Sequence, residues 1–286
     1  MNRAAGRALA NPAYAFRPSQ VIRRLRGGPN IDVVTLPWDA RIKVDRRESV
    51  GSGIARTGVH ELAVSETIWR LADAGDLAID VGANVGYFTS LLAHRSRRVI
   101  ALEAHPAIVE RLRENARGWS GRIEIDPRAA SDSSGVATIG EPEGFGSNAG
   151  TAGIGVQGTR TFEVETVPLD IVIGGEMVGV CKLDVEGHEL AALRGMSDAM
   201  QARRVRDVIF EDHEPLPSPT SEYLVSVGYH LFSISQRFRR AELGPPEGRA
   251  PAWDAPTYLA TLQPERALER MWKPGWHCLR AQRSSR

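Results

Sequence analysis

The sequence has few cysteines, almost no net charge and no long hydrophobic run. Cys181 and Cys278 are the two cysteines in 286 residues, and they lack metal-ligand spacing. This usage predicts a reduced, intracellular protein. The formal net charge of +1 excludes a strong overall attraction to nucleic acid or membranes. Since no apolar stretch approaches the roughly 20 residues of a membrane span, we expect a cytoplasmic protein.

The first 31 residues are basic and contain six arginines but no acidic residue. Pro18 and Ser19 favour the start of a helix, and Gly27 and Gly28 favour its end. A secretory signal peptide is not indicated, because an apolar core of about 7–15 residues is missing. We interpret the segment as a helix with a solvated basic face rather than a membrane contact. On composition, an Arg-rich transit peptide stays open.

Short apolar runs and helical patterns alternate from residue 77 onward. This alternation predicts a doubly wound α/β fold with a mostly parallel sheet and right-handed crossovers. It is interrupted at about 130–170, where a Gly-, Ser- and Thr-rich segment predicts a β-excursion. We expect a hairpin within 32–50 and a helix over 58–74. Further predicted strands are 77–81, 98–103, 122–125, 178–184, 205–211, 229–235 and 256–262, and predicted helices begin at 86, 106, 189, 217 and 264.

The strand, turn and helix start between Leu77 and Thr89 form the central motif of the sequence. An apolar run ends at Gly82, and helical spacing begins near Gly86, as in a mononucleotide-binding corner. The spacing differs from the G-x-G-x-x-G fingerprint of dinucleotide sites. Asp80 precedes the turn, where its charge repels a pyrophosphate but suits an ammonium or sulfonium centre. S-adenosylmethionine is such a ligand.

A second acidic residue closes the next predicted strand. Glu103 follows Asp80 by 23 positions, close to the ~20 expected for an acid that takes ribose hydroxyls. With both acids present, a nucleoside-type cofactor site is favoured over a simple strand–helix connection. We expect Glu103 to take both ribose hydroxyls and Asp80 to lie on the methionine side. The predicted cofactor-binding residues are Asp80, Gly82, Ala83, Asn84, Gly86, Tyr87, Phe88, Glu103 and Ala104.

Two later strands end in clusters of acidic residues and histidines. Ligands of open parallel sheets bind beyond the carboxyl ends of the strands, so both clusters should face the cofactor crevice. Mutual perturbation of pKa values is expected there and marks candidate acid/base residues. The predicted catalytic residues are Asp184, Glu186, His188, Glu211 and His213.

Methyl transfer to an alcohol requires such groups, because something must take the hydroxyl proton as the oxygen attacks. We predict that Asp184 is central and that His213 or His188 accepts the proton, with Glu186 or Glu211 orienting the imidazole. A divalent metal held by the same groups is possible but not favoured, because no tight spacing motif demands one. A structural role at a turn and a helix N-terminus is the other alternative.

The predicted β-excursion carries a loop from Gly144 to Gly153. Loops of this length inside a compact domain are usually functional or disordered. We expect this loop to close over the site, with Asn148 and Thr151 as the polar contacts to the acceptor.

Six segments together resemble the FkbM family of methyltransferases. They are residues 80–89, 103–106, 147–151, 167–170, 182–189 and 210–213, in family order, within a resemblance that covers roughly 55–235. The Asp-Val-Glu-Gly-x-Glu segment is the most specific, whereas many methyltransferases share the glycine turn. The resemblance implies a class I, Rossmann-like fold that uses S-adenosylmethionine, and mostly O-methylation of sugars or natural products. Position 188 varies in the family pattern, which slightly favours His213 as the base.

On this basis we divide the chain into three regions. Residues 1–54 are expected to form an N-terminal basic helix and hairpin, 55–240 the methyltransferase domain, and 241–286 a Pro-rich connection, a last strand and a C-terminal helix. The expected partner is a small-molecule acceptor. Two alternatives stay open: an N- or carboxyl-methyltransferase for a peptide-like acceptor, and a cofactor-binding module without turnover. The acid/His clusters favour O-methylation, because a neutral amine needs less help from a base.

Overall fold

A computed structural model describes residues 30–145, 151–158, 160–237, 240–247 and 256–279. The predicted N-terminal helix, Asn148 and most of the Pro-rich connection lie outside these residues. No helix in the described ranges is long and apolar enough to cross a membrane.

The strands and helices follow the predicted alternation. The strands are β1 Ile31–Thr35, β2 Arg41–Asp45, β3 Leu77–Val81, β4 Arg98–Leu102, β5 Ile123–Asp126, β6 Ala129–Ala130, β7 Gly135–Glu141, β8 Gly153–Ile154, β9 Arg160–Val167, β10 Val178–Leu183, β11 Val205–Glu211, β12 His230–Arg237, β13 Arg240–Gly244 and β14 Thr257–Thr261. The α-helices are α1 Ser49–Thr57, α2 Leu62–Leu71, α3 Tyr87–Arg95, α4 Pro106–Ala116, α5 Leu169–Ile173, α6 Glu189–Arg194, α7 Ser197–Gln201, α8 Pro219–Ser226 and α9 Pro264–Trp272.

Eight of the described strands form one large sheet, in the order β13-β12-β14-β11-β10-β3-β4-β5, and β1 pairs with β2 in the predicted hairpin. The five strands from β11 to β5 run parallel to one another. The late strand β14 enters antiparallel between β11 and β12. All residues of β3 and β10 are buried, as expected for strands covered on both faces. The prediction of a doubly wound, mostly parallel α/β sheet is confirmed.

Side chains alternate between the two faces of this sheet and enter two separate cores. Ala78, Val180 and Ile209 pack with the apolar sides of α2, α3 and α9, on what we name the front face. Leu77, Cys181 and their neighbours pack with α5 to α8, on the rear face. Because Asp80 and Lys182 lie two residues beyond Ala78 and Val180, they also point to the front face.

The predicted β-excursion is a second sheet of four strands, ordered β6-β9-β7-β8 among the described residues. Its main pair is β7 with β9, antiparallel from Gly135 opposite Thr166 to Glu141 opposite Arg160. A Cβ atom at Gly153, in β8, would lie 3.3 Å from the Cβ of Glu186. The excursion therefore returns to the carboxyl edge of the large sheet, beside one of the predicted catalytic residues.

The helical segment before β3 differs from the prediction. The predicted helix over 58–74 is the shorter α2, and a separate helix, α1, precedes it. Gly58, with φ 77°, ends α1. The glycines within α1 obscured it, because glycine is a poor helix former. Gly51 is needed there, since a Cβ atom would lie 2.1 Å from the carbonyl oxygen of Asp45.

We predict that Gly82→Ala destabilises the fold. Gly82 has φ +77°, and a Cβ atom there would lie 1.7 Å from the carbonyl oxygen of Asp184. The free energy of unfolding, measured by urea denaturation, should fall by about 1–3 kcal/mol or more. Gly75→Ala is the control, because a Cβ atom at that position would have no neighbouring atom within 4 Å. Equal stability of the two variants would contradict the close approach of the turn to β10.

Candidate active site

The turn after β3 is held tightly against the end of β4. The backbone N–H groups of Gly82 and Ala83 both donate to the carbonyl oxygen of Leu102, each at 2.9 Å. Asn84 has φ 49° and Gly86 has φ 88°, so the chain turns through left-handed conformations before α3 begins. This geometry leaves the N-terminus of α3 at the carboxyl edge of the sheet, where anionic or polar ligand groups are stabilised.

Glu103 lies directly beyond β4 and ties two backbone segments together. Its Oε2 accepts the N–H of Asn84 and its Oε1 accepts the N–H of His105, each at 2.9 Å. Burial raises the pKa of Glu103 to about 7. A carboxylate has about four lone-pair sites, so both oxygens keep the capacity to accept a further hydroxyl. The Glu103 carboxylate is therefore held in place by two backbone hydrogen bonds, and it can still accept hydrogen bonds from the hydroxyls of a ribose, as predicted.

Asp80 is a buried carboxyl group on the front face and is 1% exposed. The hydroxyl of Thr89 donates to its Oδ2 at 2.5 Å. Within the described residues, Oδ1 has no hydrogen-bond partner. Burial raises the pKa of Asp80, although the positive charge of Lys182 opposes the shift. A buried acceptor without a partner indicates a place for a donor or cation that belongs to a ligand or to water.

Lys182 stands beside Asp80 in register across β10 and β3. It is 3% exposed, and its Nζ donates to Oδ2 of Asp184 at 2.8 Å. Nζ also lies 4.7 Å from the centroid of the Phe88 ring. Burial alone would lower the Lys182 pKa, but the attraction of Asp184, Glu61 and Asp80 raises it, so the ammonium stays charged. Lys182 was not among the predicted site residues, although a lysine inside an apolar strand pattern could have indicated a buried, paired charge.

Glu211 and Asp184 lie next to each other at the ends of β11 and β10. Leu183 pairs with Phe210, so the next residue of each strand extends to the same edge. Burial, followed by the negative charges of Asp184 and Glu61, raises the pKa of Glu211 to about 9. Burial raises the pKa of Glu186 to about 7 as well, with Asp184 adding to the shift. The structure thus brings together three of the predicted catalytic carboxyl groups.

The two predicted catalytic histidines lie at the margins of this cluster. His188 precedes α6, and its Nε2 is 3.0 Å from the hydroxyl of Ser131. Burial lowers the pKa of His188. His213 has a side chain that is 59% exposed, and its Nε2 is 3.9 Å from Oε2 of Glu211, beyond hydrogen-bond distance. Their catalytic assignment stays a prediction.

A third histidine, which the sequence analysis missed, lies on the front face. His60 lies two residues before α2, and its Nε2 is 2.8 Å from Oε1 of Glu61, the residue that precedes the helix. The ring centroid of His60 is 5.8 Å from that of Tyr87 and 6.1 Å from that of Phe88. Lys182 acts on the His60 imidazole electrostatically, as does Asp184. No motif marked His60, because the surrounding pattern was assigned to the face of a helix.

The remaining predicted contact residues lie at the start of α3, in the adjoining turns and in the second sheet. Tyr87 and Phe88 are buried at the start of α3, and the Tyr87 hydroxyl is 3.0 Å from that of Ser65. Ala83 is buried and Ala104 is partly buried. Thr151 is partly buried, two residues before Gly153, which lies beside Glu186. The role of Thr151 as an acceptor contact stays a prediction.

No group of three or more His, Cys, Asp or Glu side chains in the described ranges is arranged to hold a metal ion. In the Asp184 carboxylate, Oδ2 is already bonded to the Lys182 ammonium.

We predict that Glu211→Gln stabilises the protein at alkaline pH. The folded protein keeps the Glu211 proton up to a pKa of about 9, whereas the usual pKa is 4.5. Between these values the folded state binds more protons than the unfolded state, so stability falls as pH rises. The neutral variant escapes this loss, and its free energy of unfolding at pH 8 should exceed that of the wild type by at least about 1 kcal/mol.

Urea denaturation at pH 5 and pH 8 measures this effect, and the advantage should be smaller at pH 5. Glu214→Gln, at an exposed position in the same segment, is the control and should change stability little at either pH. The same difference between Glu211→Gln and the wild type at both pH values would contradict the assigned burial of this group.

Comparison with known proteins identifies the family of the chain. The family model described as the methyltransferase FkbM domain matches residues 80–231, which is more than half of the chain. The hexuronic acid methyltransferase AglP of Haloferax volcanii is 35% identical, over 54% of this chain and 65% of that protein. The chain thus spans slightly less than two thirds of that relative's length.

A second curated relative is the 31-O-demethyl-FK506 methyltransferase FkbM of Streptomyces tacrolimicus. It is 32% identical, over 56% of this chain and 74% of that protein. Among solved structures, the methyltransferase FkbM from Methylobacillus flagellatus has a TM-score of 0.46 at 14% identity and covers 76% of this chain and 62% of its own. The resemblance found in the sequence is confirmed by the family match: the chain belongs to the FkbM methyltransferase family.

Proposed function

We propose that the protein is an S-adenosylmethionine-dependent O-methyltransferase that acts on a hydroxyl of a sugar or natural product. The observation that carries this proposal is the convergence of Asp80, Glu103 and the Lys182–Asp184 pair at adjoining strand ends. The names of the two curated relatives, a hexuronic acid methyltransferase and a 31-O-demethyl-FK506 methyltransferase, support this acceptor class.

The described residues suit the proposed cofactor in two separate places. Glu103 retains acceptor capacity on both carboxylate oxygens, as ribose hydroxyls require. Asp80 offers a buried oxygen without a partner in the described residues, which suits the cationic methionine end of the cofactor. When bound, S-adenosylmethionine supplies an electrophilic methyl group on a positively charged sulfur.

The electrostatics of the front face also favour a cationic cofactor. Burial raises the pKa values of Asp80, Glu103, Glu186 and Glu211, because negative charge is costly there without a partner. A positive ligand offsets this cost and stabilises the charged carboxylates. Lys182 compensates part of the charge and holds Asp184 at the sheet edge.

Asp184 is the residue that we propose to orient the acceptor hydroxyl. Its side chain is partly exposed at the end of β10, next to the cofactor strand β3. Oδ2 is bonded to Lys182, which leaves the other carboxylate oxygen as the acceptor for a hydroxyl. Positioning the attacking oxygen in this way lowers the free-energy barrier of the transfer, because the reacting groups are already oriented.

We predict that Glu103→Gln weakens the binding of S-adenosylhomocysteine. Loss of charge-assisted hydrogen bonds should cost about 1.5–3 kcal/mol, or roughly ten- to a hundredfold in Kd, measured by isothermal titration calorimetry. Glu124→Gln is the matched control, since Glu124 lies in the neighbouring strand β5 with a 61% exposed side chain. Unchanged affinity in Glu103→Gln would remove this residue from the cofactor site.

We predict that Asp184→Asn retains cofactor affinity within a few-fold but loses at least about a hundredfold in turnover. Turnover is measured by mass spectrometry of methylated products, with a panel of uronic acids, neutral sugars and macrolides as acceptors. Asp198→Asn, at the exposed start of α7, is the control and should retain normal turnover. Wild-type protein that binds S-adenosylmethionine but methylates no member of the panel would favour the cofactor-binding module instead.

A further inference from the structure

The acceptor site lies on one face of the sheet, and this restricts which histidine can serve it. Asp80, Lys182 and Asp184 all point to the front face, because they continue the alternation of Ala78 and Val180. Glu211 follows from Ile209 in the same way. The charged groups at the strand ends thus face α2 and α3, not the rear helices.

His60 lies on this side, close to the N-terminus of α3. It lies two residues before α2, packs against the Tyr87 and Phe88 rings at the start of α3, and is partly buried. His94 is also on this side, but it lies in the last turn of α3, stacked on Trp69 and away from the strand ends. Phe88 in turn contacts the Lys182 ammonium, which holds Asp184. His60 is therefore joined to the Asp184 carboxylate by a short series of direct contacts.

His60 also has the orienting carboxylate that a general base requires. Nε2 is 2.8 Å from Oε1 of Glu61. An imidazole whose one N–H donates to a carboxylate presents the other nitrogen, here Nδ1, as the basic atom. Glu61 has φ 38°, a left-handed conformation that is uncommon for residues other than glycine and is found preferentially at functional sites.

We propose that His60 is the general base of methyl transfer and that Glu61 is its positioning residue. This inference rests on the proposed methyltransferase function. In the transfer step, a lone pair of the acceptor oxygen forms the bond to the methyl carbon. The carbon–sulfur bond breaks, and its electron pair neutralises the sulfonium. The hydroxyl proton passes to Nδ1 of His60, while Nε2–H stays bonded to Glu61, and the imidazolium then releases a proton to water.

Other histidines in the described residues are less suited to this role. His213 is largely exposed and has no hydrogen bond to Glu211, and His188 is bonded to Ser131 beside the second sheet. His105 has a carboxylate partner, Glu141, at 3.0 Å. However, its ring is enclosed by two phenylalanine rings and is 2% exposed, so it cannot reach an acceptor.

The charge of the cofactor provides a test that needs no acceptor. The pKa of each histidine is measured by NMR from the imidazole signals in complexes with S-adenosylmethionine and with neutral S-adenosylhomocysteine. The sulfonium charge should lower the His60 pKa by about half a unit or more relative to the S-adenosylhomocysteine complex. The His188 pKa should change less. A sulfonium-dependent shift at His188 without one at His60 would overturn the proposal.

Kinetics test the proton transfer itself, with D-glucuronic acid at high concentration as the probe acceptor. His60→Ala should lose at least about a hundredfold in kcat while its affinity for S-adenosylhomocysteine changes less than about threefold, and added imidazole should restore part of the rate. His230→Ala, at an exposed position at the start of β12, is the control and should stay within a few-fold of the wild type. Near-normal kcat in His60→Ala, or a loss without rescue by imidazole, would overturn the assignment of His60.

The pH profile tests the positioning role of Glu61. The charged groups that act on the His60 imidazole are Glu61, Lys182 and Asp184, and the Tyr87 ring packs against it from the adjoining helix. Burial lowers the His60 pKa and so does Lys182, but Glu61 and Asp184 together outweigh them, so the pKa is raised. The base works when neutral, so kcat/KM should rise with pH through this pKa.

Glu61→Gln should move the rising limb of this profile to lower pH by about one unit. A profile that keeps its position would overturn the role of Glu61. Failure of the wild type to bind either cofactor form, or to methylate any member of the acceptor panel, would count against the proposed function itself. That result is distinguishable, because it arises in the unmodified protein.

Discussion

The buried ammonium of Lys182 is the interaction on which the rest of the site depends. It lies beside Asp80 on the next strand and bonds to Asp184 at the end of its own strand. Placing charges in a sheet interior is costly unless they are paired, and removing one partner leaves the others uncompensated. The lysine therefore allows the carboxylates of Asp80 and Asp184 to lie close together at neighbouring ends of parallel strands, where both can stabilise a cationic cofactor.

The hydrogen bonds around this junction connect the cofactor corner to the acceptor side. The β3 turn is bonded to the end of β4, and Glu103 joins the turn to the start of α4. On the other side, the Asp184 N–H donates to the carbonyl oxygen of Val81 at 3.0 Å. The three strand ends that form the site are thereby fixed relative to one another. A small displacement of reacting groups is costly for transfer rates, so this rigidity has a functional purpose.

Local sequence patterns predicted the centre of the fold well. The bounds of β3 agree with the predicted 77–81, and α9 begins at the predicted residue 264, because an apolar run and a proline at the first helical position are local signals. Helix α1 was not predicted, since glycine is a poor helix former and Gly51 is required there by the close approach of Asp45. The insertion of β14 between β11 and β12 is set by long-range pairing, which hydrophobic periodicity does not contain.

The candidate site was likewise predicted where local sequence pattern determines it and missed where long-range contacts do. Asp80 and Glu103 were identified because each follows directly from a strand end in the motif. The proximity of His60 to Asp184 joins positions more than a hundred residues apart, and no spacing rule contains it. His213 was favoured over His188 because position 188 varies in the family pattern, yet the exposure of its side chain depends on the loop that follows β11. Sequence pattern thus located the edge of the sheet, and the tertiary structure was needed to distinguish its faces.

A crystal structure of the complex with S-adenosylhomocysteine would test most directly whether these strand ends form one methyl-transfer site. The ribose hydroxyls should lie within about 2.6–3.2 Å of the Glu103 carboxylate. The sulfur should lie on the front face, between Asp80 and the cluster of Asp184 and His60. A ligand bound on the rear face, or one whose ribose does not contact Glu103, would contradict the account.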